Sequence, residues 1–350
     1  MIEKGFHKDF SLSGRHFTSV RELLHFSEKN YQEIMTFLTE WFSDTREIIV
    51  QTSGSTGKPK KIAIPKNKMI NSAKATGKFF NLQKNTSALL CLSPNYIAGK
   101  MMLVRALVLG WDLDVVPATS SPLKNNKKYD FVAMVPLQVQ NSLKNLDNVK
   151  TILVGGGVMH ANLIQQVKKS SAKIFQSYGM TETVTHIAVR EIHPSYRDFY
   201  TTLPNVRISK DTRGCLVIDA PKIANEIVVT NDLVEIISEN KFRWLGRIDS
   251  VINSGGIKLI PEQIEKKLAK IIISEFFIAK AKDTVLGEKV ILFIEGKPNK
   301  EILNKIKNSL DLSKYEKPKN TYFIDTFIRT ETGKINRLKT KDTFFAKTSC

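Results

Sequence analysis

Between Ser87 and Gln176 the chain alternates short apolar runs with intervals long enough for a helix, and this rhythm narrows the possible folds more than any other feature. The runs are Ser87 to Leu92, Phe131 to Val135, Thr151 to Val154 and Lys173 to Gln176, most of them bounded by Pro, Gly or Asn. Ala98 to Leu109 and Pro136 to Leu146 are the helix-length segments between them. Strands that are apolar throughout are those covered on both faces, and helical spacers allow consecutive strands to run parallel. The expectation is an α/β fold whose large domain is a helix-covered parallel sheet.

On either side the pattern differs. Tyr31 to Phe42 sets Ile34, Phe37, Leu38 and Trp41 at helical spacing, which predicts an amphipathic helix ahead of a first strand at Glu47 to Gln51. After His186 the strands become short and closely turned: Cys215 to Asp219, Glu226 to Val229, Val234 to Ser238 and Phe242 to Leu245. A small antiparallel, barrel-like β unit is expected there. Past Gly246 come a Gly-Gly turn, a helix opened by Pro261-Glu262 and strands at Phe276 to Ala281 and Val290 to Glu295. A helix from about Asn299 and a last strand at Tyr322 to Asp325 complete a small α+β C-terminal domain. With the boundary at Arg247 to Asp249, the expected domains are 1–246 and 247–350. Ser120 to Lys128 reads as the one long polar loop.

Charge bears on partners more than on fold. The formal net charge is +19, a balance that attracts polyanions such as nucleic acid, anionic membrane or phosphorylated small molecules, or that merely solvates a lysine-rich surface. Cys91, Cys215 and Cys350 lie far apart with no CxxC spacing, so neither a disulfide framework nor a zinc site is suggested. The apolar stretch Met101 to Trp111 is interrupted by Arg105 and is too short to span a bilayer. The amino terminus has no apolar secretion core, and a cytoplasmic address is the default expectation.

One loop concentrates anion-binding groups. Val50 to Ile62 reads VQTSGSTGKPKKI, and such a Gly/Ser loop between strands can turn backbone N–H groups, hydroxyls and a lysine toward phosphate oxygens. A Walker loop requires wider glycine spacing and a hydroxyl residue after the lysine; here Gly54 and Gly57 are too close and Pro59 follows Lys58. The bland alternative is a turn and nothing more.

The wording of that loop, Thr52 to Lys60, resembles the phosphate-binding signature of the adenylate-forming superfamily of acyl-CoA synthetases, luciferases and peptide-synthetase adenylation domains. The resemblance continues downstream, in order, to the end of the chain. Thr52, Ser53, Gly54, Ser55, Thr56, Gly57 and Lys58 are then implied to hold ATP phosphates. Gly155, Gly156 and Gly157 resemble the glycine turn beside adenine. Ser177, Tyr178, Gly179, Met180, Thr181 and Glu182 resemble the motif whose ring stacks on adenine, whose threonine meets phosphate and whose glutamate, Glu182, holds magnesium. Asp232 matches the ribose-binding aspartate, with Asn231 where glycine is usual and chosen, on this reading, because Asn tolerates a left-handed backbone. Arg247 matches the residue reaching ribose or phosphate, and Asp249 the hinge. Gly256 and Lys258 fall in the segment implied to line the pantetheine tunnel of CoA, and Lys334 matches the catalytic lysine.

What the resemblance implies is acid activation in two steps with ATP, Mg2+ and CoA. A carboxylate joins AMP as pyrophosphate leaves, and a thiol then displaces AMP, the small domain swinging between the steps. Family members typically carry a much longer stretch ahead of the phosphate loop, so a shortened amino-terminal subdomain is expected. The stretch Tyr96-Ile97-Ala98-Gly99-Lys100-Met101-Met102 resembles the o-succinylbenzoate:CoA ligase subgroup, whose acid has a second carboxylate. Tyr96, Lys100 and Arg105 are the candidate acid-site residues, the alternative being that both cations lie on an outer helix face. Ligases for another aryl or short acyl acid, and a nucleotide- or nucleic-acid-binding protein without turnover, are the competing readings. Aromatics are not interleaved with the lysine runs, so nucleic acid is not the expected partner. No membrane span is expected, and assembly is left open between a single chain and a homodimer.

Overall fold

A computed structural model of the chain describes residues 5–51, 61–124, 126–330 and 335–348. Thirteen strands make one sheet. Half of it is parallel, in the spatial order Lys173–Gly179, Val149–Val154, Tyr129–Met134, Ser87–Leu90, Asp112–Val115 and Ser11–Leu12, with Arg15–His16 turning back antiparallel at the edge. Tyr129–Met134 shows why the apolar runs are legible: every residue except Asp130 is buried, as a strand covered on both faces requires.

At Lys173–Gly179 the direction changes. His186–His193 pairs antiparallel with it, and Tyr200–Thr202, Lys241–Arg247, Val228–Ser238, Cys215–Asp219 and Arg207–Lys210 follow in order, all antiparallel. The β unit expected after His186 therefore continues the same sheet. The runs read as two strands, Glu226 to Val229 and Val234 to Ser238, form one strand, Val228–Ser238. Asn231 lies inside it and is not among the positive-φ residues, so the left-handed backbone expected there is absent.

Helices cover the sheet. Gln32–Phe42 buries Ile34, Phe37, Leu38 and Trp41, the expected stripe. Ile97–Leu109 is buried almost all round and packs close to Lys66–Phe80 at Gly77, where a Cβ would stand 2.9 Å from Leu109 Cδ1. Lys66–Phe80 itself was not legible, because its buried face is largely small or polar: Ser72, Ala73, Thr76 and Gly77 beside Met69. The helix expected from Pro136 ends at Asn141, and a 3-10 segment, Leu143–Asn148, follows. Glu47–Gln51 and Lys61–Pro65 form a separate antiparallel hairpin.

Beyond Arg247 a second sheet gathers Ile257–Leu259, Ile252–Ser254, Gly287–Glu295 and Phe276–Asp283, with Asn320–Ile324 parallel to Gly287–Glu295. Strand alternation sends Ile278, Val290 and Leu292 toward Ile264, Leu268 and Ile306 of the helices Pro261–Leu268 and Lys300–Lys307. Phe277, Ile291 and Phe293 face the other way, toward Phe327 and the helix Arg337–Thr348. Each side thus has its own core. Cys91 and Cys215 are buried free thiols, and burial pushes the Cys91 thiol up to about 12. Among the described residues no helix is long and apolar enough to cross a membrane.

Gly99, in the first turn of Ile97–Leu109, lies where a Cβ would stand 2.3 Å from Ser93 O. Backbone cannot yield as a flexible side chain would, so Gly99→Ala is expected to destabilise the chain by about 2–3 kcal/mol, read as a lowered urea midpoint at unchanged slope.

Candidate active site

In a parallel sheet the carboxyl ends of neighbouring strands share one edge, and there the loops converge. Val149–Val154 and Lys173–Gly179 are such neighbours, so the turn Gly155–Gly157 and the segment Ser177–Glu182 emerge side by side. Side chains join them: Ser177 Oγ donates to Val154 O at 3.1 Å, and Gln176 Nε2 donates to Gly157 O at 3.2 Å. Gly156 adopts φ +74°, which favours glycine. At Gly179 a Cβ would stand 2.2 Å from Thr185 O, so only glycine lets the return strand approach this closely.

The reversal at Lys173–Gly179 brings the antiparallel strands to the same place. Tyr178 Oη donates to Asp232 Oδ2 at 2.6 Å, and Trp244 Nε1 donates to Asp232 Oδ1 at 3.1 Å. Arg247, opposite Asp232 in the register, lies 3.8 Å from the same carboxylate and donates to Asp249 Oδ2 at 2.6 Å. Burial, and next the Asp232 charge, hold the Tyr178 phenol far above its ordinary range, so it remains a donor. Its ring stands edge-on to Phe242, with centroids 5.2 Å apart, and tilted against Tyr200. The sequence-predicted residues Tyr178, Asp232, Arg247 and Asp249 thus form one cluster. Trp244 was missed; its only signal was an indole two residues before Gly246 in a strand of alternating pattern.

Thr181–Thr183 forms a 3-10 turn, and Val184 follows at φ +65°, ψ −59°. Thr185 N donates to Thr183 O at 2.7 Å, which closes a γ-turn around a β-branched residue, a sparsely populated and costly conformation. This tight turn leaves Glu182 exposed, and among the described residues its carboxylate has no hydrogen bond or ion pair in the protein. A free carboxylate at the lip of this edge has the donor chemistry that magnesium takes, one or two carboxylates completed by phosphates and water. No cluster of three or more metal-ligating side chains occurs among the described residues.

Two predicted elements lie outside the described residues. Thr52, Ser53, Gly54, Ser55, Thr56, Gly57 and Lys58 are one; the described hairpin ends at the pair Gln51 with Lys61. Lys334 is outside as well. Its neighbours are firmly held: Arg329 donates to Glu295 Oε2 at 2.9 Å, and Arg337 donates to both Glu265 oxygens at 2.8 and 3.0 Å. Gly256 and Lys258 are apart from the cluster. They line a groove of about 770 Å³ with Arg213 and Leu233. Because successive side chains of a strand face opposite sides, Leu233 and this groove lie across Val228–Ser238 from the Asp232 side chain.

The acid-site candidates sit at and within the helix Ile97–Leu109. Tyr96 is its exposed N-cap. Lys100 and Arg105 are both buried and do not lie on an outer face. The Lys100 charge is answered within the protein, by Glu40 at 3.6 Å and by the Phe37 ring at 4.9 Å. Arg105 differs. Its Nε donates to Thr76 Oγ1 at 3.4 Å and its guanidinium meets His186 Nδ1 at 3.4 Å, but no carboxylate among the described residues reaches it. Burial lowers the guanidinium to about 10, so it is cationic at neutral pH. Burial first, and then Arg105, hold His186 well below the usual imidazole range, so the ring is neutral. Since Arg105 can only donate, Nδ1 is the lone-pair nitrogen and the proton resides on Nε2, toward Thr76. His186 was missed, as a lone histidine in an apolar strand carries no signal of its partner.

A model of the AMP-binding enzyme family matches residues 17–220. The chain is 25% identical over 320 residues to the 2-succinylbenzoate--CoA ligase of Lactococcus lactis, covering 84% of this chain and 70% of that protein. It is 24% identical over 343 residues to the protein of the same name in Oceanobacillus iheyensis, covering 87% and 71%. Among solved structures, an acyl-CoA synthetase (AMP-forming)/AMP-acid ligase II-like protein of Dyadobacter fermentans is 38% identical, with a TM-score of 0.60 over 89% of this chain and 93% of that one. The o-succinylbenzoate coenzyme A synthetase of Bacillus subtilis, in complex with ATP and magnesium ion, shares the fold at a TM-score of 0.71 with 19% identity, over 93% and 82% of the two chains.

Tyr178 and Asp232 each serve as the other's buried partner, so their removals are expected not to add. In a double-mutant cycle Tyr178→Phe and Asp232→Ala should show a coupling of about 1–3 kcal/mol in urea unfolding, and additive losses would deny the bond its role.

Proposed function

The chain belongs to the AMP-binding enzyme family, and on that premise we propose that it is an ATP-dependent acid:CoA ligase whose acid is o-succinylbenzoate. The observation that carries the ligase reading is the meeting of Gly155–Gly157, Ser177–Glu182 and Asp232 with Arg247 at one sheet edge. The choice of acid rests on Arg105. A buried cation without a counter-charge is costly, and a ligand carboxylate would supply what no described residue does. The relatives named 2-succinylbenzoate--CoA ligase support the same choice.

In the first step the acid carboxylate, already ionised at neutral pH, attacks the α-phosphorus of ATP. A C–O–P bond forms as the bond to the β-phosphate bridge oxygen breaks, and pyrophosphate leaves. Thr52 to Lys58 hold the departing phosphates, and Lys334 sets a cation between carboxylate and α-phosphate, where two anions must approach. Tyr178 and the Gly155–Gly157 turn bound the adenine, and Asp232 and Arg247 face the ribose. Glu182 would hold magnesium, which when bound would supply positive charge opposite the phosphates. In the second step the CoA sulfur attacks the carbonyl carbon, AMP leaves with the bridging oxygen, and the thiol proton passes to solvent. Residues 1–246 and 247–350 act as two units joined at Asp249, the second turning to bring Gly256 and Lys258 to the pantetheine. Where ATP and CoA are both held, in the cytoplasm, is the address this chemistry calls for.

Lys334→Ala is expected to abolish pyrophosphate release while leaving CoA capture of supplied acyl-adenylate largely intact; loss of both alike would reject the role. For the acid, Arg105→Met should raise the KM for o-succinylbenzoate at least about 30-fold while changing that for benzoate little, in a pyrophosphate-release assay. A uniform loss would remove Arg105 from the acid site.

A further inference from the structure

For the C-terminal unit to turn about Asp249, the contacts that seat it against the rest of the chain must break. Among the described residues Gln263 Nε2 donates to Leu245 O at 2.6 Å beside the connecting segment, and two pairs of titratable side chains join the units further away. Lys266 Nζ lies 4.0 Å from Asp198, at the limit of such a contact. His160 Nε2 lies 3.3 Å from Glu275 Oε2, a closer pair joining residues far apart in the chain.

His160 and Glu275 keep 52% and 33% side-chain exposure, and what distinguishes them is where they sit in the chain. His160 is the N-cap of the helix Ala161–Val167, immediately beyond the Gly155–Gly157 turn and the buried Met159. Glu275 directly precedes Phe276–Asp283, and its carbonyl accepts from Glu295 N at 2.8 Å, which fixes it to the second sheet. Its Oε2 is buried and has no hydrogen-bond partner among the described residues. A carboxylate oxygen withdrawn from water is unfavourable unless a polar group faces it, and His160 Nε2 is the group that does. The contact therefore joins the loop that carries the glycine turn to the unit that must move.

We propose that His160 and Glu275 are positioning residues: their pair holds the C-terminal unit in the orientation of this structure and must part before the glycine segment can reach the acyl carbon. In this orientation Gly256 and Lys258 stand across Val228–Ser238 from Asp232, so it is not the one in which they reach the acyl carbon. The consequence for catalysis rests on the ligase reading above. The seating itself does not.

The test therefore has two readouts on the full chain. Spin labels are placed on cysteines substituted at the exposed positions Lys144 and Leu310, in a Cys350→Ser background. The unmodified pair is expected to give one narrow distance, and Glu275→Gln or His160→Ala a broadened or shifted one. The reversed pair, His160→Glu with Glu275→Lys, should restore it. In the half-reactions the single variants should slow acyl-adenylate formation and speed thioester formation from supplied acyl-adenylate, each by about 2- to 5-fold. A merely structural role would move both halves together. Unchanged distances in the single variants, or half-reactions changed by the same factor or in the reverse sense, would overturn the proposal. A chain that formed no acyl-adenylate with any acid would reject the ligase reading, and the label distances would still decide the seating.

Discussion

Everything at the candidate site depends on the pairing of Lys173–Gly179 with strands of opposite sense on its two sides. Against Val149–Val154 it runs parallel, and against His186–His193 antiparallel. The parallel side aligns the carboxyl ends that carry Gly155–Gly157 and Ser177–Glu182. The antiparallel side returns the chain so that Asp232 and Arg247 reach the same edge. A slip of one residue in either pairing would turn Tyr178 to the other face and separate it from Asp232. Gly179 fixes that register, because its missing Cβ is what allows Thr185 to lie so near.

Legibility in the sequence followed the strength of the local signal. Strands buried on both faces, such as Tyr129–Met134, announce themselves because solvent never interrupts them. The helix Gln32–Phe42 was readable from one stripe of large apolar residues. Lys66–Phe80 was not, since it meets its neighbour through Ser72, Ala73, Thr76 and Gly77, where close approach replaces bulk. Ser11–Leu12 and Asp112–Val115 were too short to stand out, and they join the sheet through long-range pairing alone. Within the site the motifs located Tyr178, Asp232 and Arg247, but the bonds among them, and Trp244, emerge only from cross-strand geometry. The same limit explains Asn231, read as a turn residue although the strand runs straight through it.

The two cations of the helix Ile97–Leu109 illustrate how similar residues in one element come to differ. Lys100 meets Glu40 and the face of Phe37 from the neighbouring helix, so its burial is offset inside the fold. Arg105, a turn and a half further on, meets only a hydroxyl and a neutral imidazole, both long contacts. Composition cannot separate these outcomes. The difference arises from which element packs over each position, and among the described residues it leaves one charge with a carboxylate partner and the other without.

His186 stands opposite Gly179 in the strand register, so the neighbour of Arg105 and the backbone of the nucleotide motif share a single rung. On the proposed reading, a substitution at position 186 that altered the acid site would act on that rung and reach the nucleotide side with it. The helical side of the cluster, Thr76 and Arg105, is free of this linkage. If Arg105 meets the acid as proposed, substitutions on the helices alter its surroundings while leaving the strand rung intact.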